Sequence, residues 1–348
     1  MKAIDALHEA QKIAFSPFVF QTTYCMLQFG IFDLIFENRE GITKEEIAEK
    51  SGISLYGVTV LLEMAESSDI VEINDEKYTL TKLGYFIARD EMTRVNLMFT
   101  QDICYKGLSH LEEAIKTGKP AGLKEIGDWS TIYQGLSALP GRLKKSWFEF
   151  DHFYSDNSFD DALEVIFKDK PTMIFDIGGN TGKWALASTK YDPNVKVTIL
   201  DLPIQLDVAK KNIEQYPASR DRVFYQPVDM LKAETKIPEG ADVYWMSQFL
   251  DCFSEQEIEQ ILLKIRETAK PNAKVYIMET FIDNQRFPAA EFSLVATSLY
   301  FTVMANGNSK MYSSSVMKYI IEKAGFECVG EHNLHEESFH TILELKIK

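Results

Sequence analysis

Cysteine is scarce in this 348-residue chain: Cys25, Cys104, Cys252 and Cys328 are widely scattered, and none belongs to a CxxC pair. Neither a zinc site nor a disulfide framework is indicated, which fits a reducing compartment. Long apolar runs are also missing, since no stretch approaches the roughly 18 uninterrupted apolar residues of a membrane span. The opening MKAIDALHEAQKIAF carries acids and lacks the apolar run of a signal peptide. The expectation is a soluble, cytoplasmic protein with no membrane partner. Basic residues are in deficit, with 37 Lys and Arg against 52 Asp and Glu and a formal net charge of −15. Such a balance repels phosphate backbones and argues against a nucleic-acid partner.

What is present is ordinary globular material, 45% hydrophobic and 26% charged, with an excess of rings in 23 Phe and 15 Tyr. The length suits about two domains. Residues 1–100 read as helices followed by a hairpin. Thr43 and Glu46 have capping-box spacing ahead of the apolar Ile47 and Ala48. Val58, Leu61, Leu62 and Ala65 form one face of a second helix, and IVEINDEKYTLT alternates around a turn at Asn74-Asp75. Helix, helix, β-wing is the order of a winged helix. Residues 101–165 read as a helical connector. From 166 to 348, the runs MIFDIG, VTILDLP, RVFYQPVDM, ADVYWMSQFL and KVYIMETFI are largely separated by helical stretches, one of them with a Ser254/Glu257 capping box. Alternation of this kind predicts a doubly wound, mostly parallel sheet of Rossmann-like type. FECVGEHNL and HTILELKI look like an antiparallel pair closing it.

The most informative segment is Asp176-Ile177-Gly178-Gly179-Asn180-Thr181-Gly182, which leaves one predicted strand and enters a predicted helix. Glycines let backbone approach a ligand closely, and the helix N-terminus offers free N–H groups. Alone the loop does not separate NAD, FAD and S-adenosylmethionine proteins. Asp201, at the end of the next strand, adds a carboxylate suited to a ribose; the bland alternative is a helix cap.

FDIGGNTG, then Leu200-Asp201-Leu202-Pro203, then Val228-Asp229-Met230 resembles the plant-type and bacterial small-molecule O-methyltransferases, whose usual forms are DVGGGTG, DLP and GDM in that order. GIFDLI, ITKEEIAEKSGIS, TLTKLG, Asn306-Gly307 and the AGF at 324–326 extend the likeness over nearly the whole chain. The resemblance implies a class I methyltransferase that uses S-adenosylmethionine and no metal, and that dimerises through its N-terminal domain. It places Asp176, Gly178, Gly179 and Gly182 around the methionine part of the cofactor, Asp201 at the ribose, and Leu202, Asp229 and Met230 beside the adenine. Asn180 replaces a glycine, which Asn tolerates best if φ is positive. Ser247 stands where plant members have a cofactor-contacting Lys.

The catalytic position is altered. Where the family carries His-Asp-Trp, with His as general base, this chain reads Leu250-Asp251-Cys252-Phe253. Asp251 thus takes the place of the His. Glu279 falls where a supporting Glu sits, and a second supporting Glu is replaced by Met311. An ordinary Asp, of pKa about 3.9, is a weak match for a phenol near 10 unless burial or a second carboxylate raises it. Asp251 as a base, as an anchor for an amine substrate, or as a mere strand-end residue all stay open. Cys252 reads as packing. By family position, Phe150, Tyr154, Met304 and Asn306 line the acceptor pocket; core packing is the alternative for each. The main expectation is methyl transfer to a hydroxyl of a small aromatic or polyketide-like molecule. The alternatives are N-methylation or a non-methylating reaction and, remotely, a winged-helix DNA regulator. The would-be recognition helix SLYGVTVLLEMAESS has no Lys or Arg, which opposes the last.

Overall fold

The computed structural model describes residues 2–334 and 339–348. The chain divides into two compact units, Met1–Asp102 and Ile103–Lys348, so residues 103–165 belong with the second.

In the first unit, helices Ile31–Glu37, Lys44–Ser51 and Leu55–Ser67 are combined with a small antiparallel sheet of order β1 (Ile42–Thr43), β3 (Lys77–Leu80), β2 (Val71–Asn74). Helices Lys44–Ser51 and Leu55–Ser67 are followed by the β2–β3 hairpin. Thr43 and Glu46 form the reciprocal cap expected of them: the Thr43 N–H donates to Glu46 Oε2 at 2.9 Å, and Thr43 Oγ1 accepts from the Glu46 N–H at 3.3 Å. Ile47, Val58, Leu62 and Ala65 enter the core, while Leu61 is half-buried at its edge. The hairpin turn lies one residue beyond the expected place. Asn74 still pairs with Lys77, and Asp75 (φ 48°) and Glu76 (φ 66°) make the two-residue loop. Positive φ at both central residues is what the twist of a tight hairpin demands.

The second unit is built on a seven-stranded sheet of order β6-β5-β4-β7-β8-β10-β9. The strands are β4 (Met173–Ile177), β5 (Lys196–Asp201), β6 (Val223–Pro227), β7 (Val243–Ser247), β8 (Lys274–Glu279), β9 (Phe326–Asn333) and β10 (Thr341–Ile347). The first five are parallel, and β10 runs antiparallel to both β8 and β9. Side chains alternate between two cores: from β7, Tyr244 and Met246 pack with helix Glu255–Thr268, whereas Val243 and Trp245 pack with helices Lys183–Tyr191 and Pro203–Glu214. Trp245 stacks on Trp184 with ring centroids 4.2 Å apart. Burial on both faces explains why the parallel strands read as continuous apolar runs.

Because β5 and β6 lie on one side of β4, and β7 and β8 on the other, the strand order reverses at β4/β7. The crevice beyond the carboxyl ends of strands at such a switch point is where ligands bind in open α/β sheets. Among the described residues, no single helix is long and apolar enough to cross a membrane. The bent pair Ser16–Gln28 and Ile31–Glu37 matches by length and composition, but Met26, Ile31, Phe32 and Ile35 from it are core residues of the first unit.

Candidate active site

A cavity of about 490 Å³ opens beyond the carboxyl ends of β4, β5 and β7. One end is formed by the loop after β4. Gly178 adopts φ 74° and Asn180 φ 47°, so the Asn in place of the family glycine sits in the left-handed region that Asn tolerates. A Cβ on Gly178 would lie 2.2 Å from the Phe249 ring, and one on Gly179 2.4 Å from Asp176 Oδ2. Both glycines are therefore required for close approach. Asp201 closes this end, with Oδ2 accepting from the Asn180 N–H at 2.8 Å and Oδ1 from the Leu202 N–H at 2.7 Å. Burial raises its carboxyl to about 6 even though these hydrogen bonds pull it down. Its side chain does not cap helix Pro203–Glu214, whose N-cap is Leu202 with no side-chain bond. Asp176 is deeper, raised to about 8 by burial and then by Asp201, and its Oδ2 has no hydrogen-bond partner.

Those features fit S-adenosylmethionine. A glycine cradle excludes side chains, and the Asp201 carboxylate stands on the cavity at the end of the neighbouring strand. Gly178, Asn180, Asp201, Leu202, Asp229 and Met230 line the cavity here. Gly179, Gly182 and Asp176 shape the loop from behind without lining it. Ser247 differs from the expectation of cofactor contact: it ends β7 half-buried and outside the lining. The chain turns just beyond it, with Gln248 at φ 45°, and Gln248 takes the lining position. Among the described residues, no group of three or more His, Cys, Asp or Glu is placed to hold a metal ion.

The other end of the cavity is walled by Trp147, Phe150, Tyr154, Leu294, Tyr300 and Met311, with Asp251 and Cys252 between the two ends. Asp251 sits in the short helical turn Leu250–Cys252, only 6% exposed. Its carboxyl is raised to about 7, first by burial and also by repulsion from Asp151, against a hydrogen bond from the Cys252 thiol at 3.4 Å. Burial and Asp251 in turn push the Cys252 thiol up, so it stays protonated, which fits packing rather than nucleophilic chemistry.

The Asp251 turn is held by its backbone. Glu279 Oε1 accepts from the N–H groups of Phe249 (3.1 Å) and Leu250 (2.9 Å). Asn306 Nδ2 donates to the Cys252 carbonyl at 2.5 Å, and the Tyr312 hydroxyl to the Phe253 carbonyl at 2.7 Å. Glu279 is therefore behind the cavity wall, its carboxyl pushed up by burial and by Asp251. Asn306 reaches the lining as expected, but its amide is spent on scaffolding: Oδ1 also accepts from Ser309 Oγ at 2.9 Å. Met304 does not reach the acceptor pocket. It is fully buried in the π-helical turn Phe301–Ala305, against Gly107. The extra residue of a π turn rotates the chain, which takes Met304 off the cavity face of helix Pro288–Tyr300.

Phe150 and Tyr154 do line the cavity, their rings 5.0 Å apart. The sequence reading stopped short of Trp147 and Asp151, which share that face of helix Gly141–Ser155. The spacing 147, 150, 151, 154 is the one-face pattern of a helix, so the signal was present. Trp147 Nε1 donates to the Tyr300 hydroxyl at 2.9 Å, tying this wall to helix Pro288–Tyr300. Tyr133 was also missed. Its hydroxyl is enclosed beside the Cys252 thiol, and burial pushes it well above the usual phenol range.

Comparison with known proteins agrees with this geometry. Residues 8–78 match the Dimerisation2-like domain and residues 157–327 the O-methyltransferase domain. L-tyrosine C(3)-methyltransferase of Streptomyces lavendulae is 23% identical over 320 residues, covering 90% of this chain and 85% of that protein. Acetylserotonin O-methyltransferase of Gallus gallus is 24% identical over 298 residues, covering 81% and 82%. Among solved structures, the S-adenosylmethionine-dependent methyltransferase SibL in its apo form superposes with a TM-score of 0.72 at 23% identity, covering 97% of this chain and 98% of that one. The chain belongs to the family of S-adenosylmethionine-dependent O-methyltransferases that carry an N-terminal dimerisation-like domain.

Proposed function

We propose that the protein methylates a hydroxyl of a small aromatic or polyketide-like acceptor, with Asp251 accepting the hydroxyl proton. The observation that carries this reading is the setting of Asp251: buried on the cavity wall between the glycine loop and the aromatic end, with a carboxyl near 7. A general base works best when its pKa lies near the operating pH, and typically contributes 10²–10⁴-fold. An exposed carboxylate near 3.9 would be far too weak. The change from His to Asp is thus offset by burial and by the nearby Asp151.

When bound, S-adenosylmethionine supplies a methyl group on a sulfonium, already activated for in-line displacement. Asp201 accepts from the cofactor's ribose, Asp176 supports the glycine loop from behind, and Leu202, Asp229 and Met230 flank the adenine. Trp147, Phe150, Tyr154 and Tyr300 orient the acceptor ring and exclude water, an apolar wall of the kind that small aromatic ligands occupy. Positioning of this sort accounts for about 7–11 kcal/mol of barrier in favourable intramolecular models. Glu279 acts as a positioning residue, through the backbone of residues 249 and 250. The test is label transfer from S-adenosylmethionine to a panel of phenols and anilines, with products identified by mass and NMR. No transfer to any phenol would sink the reading.

A second reading, methylation of ring carbon, is favoured by the name of the Streptomyces lavendulae relative. A base that takes a phenol's proton also enriches the ortho carbon; after the methyl is added there, the ring C–H proton is lost to solvent and Asp251 returns its proton to the oxygen, so the same residue serves both, and the position of the label in the product separates them.

We also infer a homodimer. Helix Ala3–Ala14 buries none of its residues, and Ile4, Leu7, Ile13, Phe15 and Phe18 are all more than half exposed. Amphipathic helices of that kind are stabilised by packing against something, and residues 8–78 match a dimerisation-like domain. A monomer by light scattering at micromolar concentration would count against it. Helix Leu55–Ser67 carries no basic residue, which supports association over DNA reading; a low-salt gel shift tests that point.

A further inference from the structure

We infer that Lys264, which lies outside the cavity, is a positioning residue for the cofactor: its side chain holds the loop that brings Met230 to the adenine. This rests on the placing of Met230 beside the adenine proposed above. Residues 228–242 join β6 to β7 and form neither helix nor strand. Connections of such length without regular structure are uncommon in compact domains and are usually functional. No ladder or helical turn fixes the shape of this one, yet Asp229, Met230 and Leu231 line the cavity from it. Its shape must come from individual anchors.

Some of those anchors are internal. Asp229 Oδ1 accepts from the Leu231 N–H at 3.1 Å, and Thr235 Oγ1 donates to the Asp229 carbonyl at 2.5 Å. Lys264 reaches in from outside: Nζ donates to the Met230 carbonyl at 2.5 Å and to the Lys232 carbonyl at 2.7 Å. Two carbonyls that flank Leu231 thus converge on one nitrogen, which fixes the turn and the backbone of Met230 with it. An ammonium has three donors, and hydrogen bonds from a charged group are stronger than neutral ones. Lys264 stands on helix Glu255–Thr268, seven residues after Glu257. That spacing is two turns along one face, about 10 Å, and Glu257 lines the cavity. One helix face therefore meets the cavity at Glu257 and the loop at Lys264. The same helix follows directly on the Asp251 turn through its Ser254 cap, so a single element carries the reference for both ends of the site.

The test is calorimetric titration of S-adenosylhomocysteine into the full chain. It needs no acceptor, so its outcome is independent of Asp251 and of methyl transfer. Lys264→Met keeps the length and apolar stem of the side chain and removes its donors; it is expected to bind the product about tenfold more weakly than the wild type. Lys270→Met is the comparison, because Lys270 Nζ donates to the Gly240 carbonyl at 3.0 Å, at the far end of the same loop, and Gly240 does not line the cavity. Its affinity is expected to stay within about twofold of the wild type. Met230→Ala and the double variant complete a cycle, in which Lys264→Met is expected to cost severalfold less once Met230 is truncated. Should Lys264→Met fail to fold, Lys264→Gln takes its place in every measurement. Unchanged affinity at position 264 overturns the inference, and so does an equal loss in Lys270→Met or an additive cycle. Wild-type affinity in Met230→Ala overturns the adenine placement and this inference together. A loss in Met230→Ala with none in Lys264→Met overturns this inference alone.

Discussion

The two ends of the cavity are built by opposite means. At the glycine loop the backbone makes the shape: Gly178 and Asn180 take positive φ, and a Cβ at 178 or 179 has no room. At the acceptor end the lining is made of side chains drawn from separate helices, Trp147 and Asp151 from one and Leu294 and Tyr300 from another. Backbone there serves only to hold the Asp251 turn in place. The lesson is that one end takes its shape from the backbone of a contiguous loop, whereas the other takes it from side chains brought together by tertiary assembly.

Substitutions at the two ends are therefore expected to separate. The largest effect is expected for Asp251→Asn, which lowers turnover by about 10²–10⁴-fold and leaves S-adenosylhomocysteine affinity unchanged by calorimetry. Wild-type turnover in that variant would leave Asp251 no role as a base. At the other end, Gly178→Ala drives a methyl group into the Phe249 ring at positive φ; strain of roughly 1–3 kcal/mol is expected to weaken cofactor binding by tens of fold. Asp201→Ala removes an acceptor of charge-assisted hydrogen bonds worth about 1.5–3 kcal/mol, so cofactor affinity falls roughly tenfold or more; unchanged affinity would remove Asp201 from the ribose site.

A pH profile sharpens the comparison further. Asp251 has its carboxyl raised to about 7, so below that pH it carries a proton and accepts none. With a neutral phenol, kcat/KM is expected to rise with pH through about 7 and then level, while Asp251→Asn lacks that rising limb. The smallest effect is expected for Asn306→Ala, which removes the donor to the Cys252 carbonyl at a cost of about 1 kcal/mol. It should lower turnover a few-fold with cofactor affinity intact, because the turn loosens only at one end.

Legibility in the sequence followed the same division. The strand–loop–helix around Asp176–Gly182, the seven strands and the two capping boxes were all readable, because each is specified by residues adjacent in the chain. Asn180 in a glycine's place is compatible with the positive φ it adopts. Errors arose where one residue of backbone changes direction. Ser247 was expected at the cofactor, but the turn at Gln248 puts the next residue in the cavity lining; Met304 was assigned to the acceptor pocket, but the π turn Phe301–Ala305 sends it into the core. Asp151 escaped notice because its meaning depends on Asp251, a residue a hundred positions away. Tyr133 lies on a four-residue helix, Ile132–Gly135, too short to show periodicity.

Glu279, Asn306 and Tyr312 all grip main-chain atoms of residues 249–253 and none grips the side chain at 251. The frame therefore does not itself specify which side chain stands at 251. Asp251→His tests this directly: an unchanged melting temperature with a displaced pH profile is the expected signature.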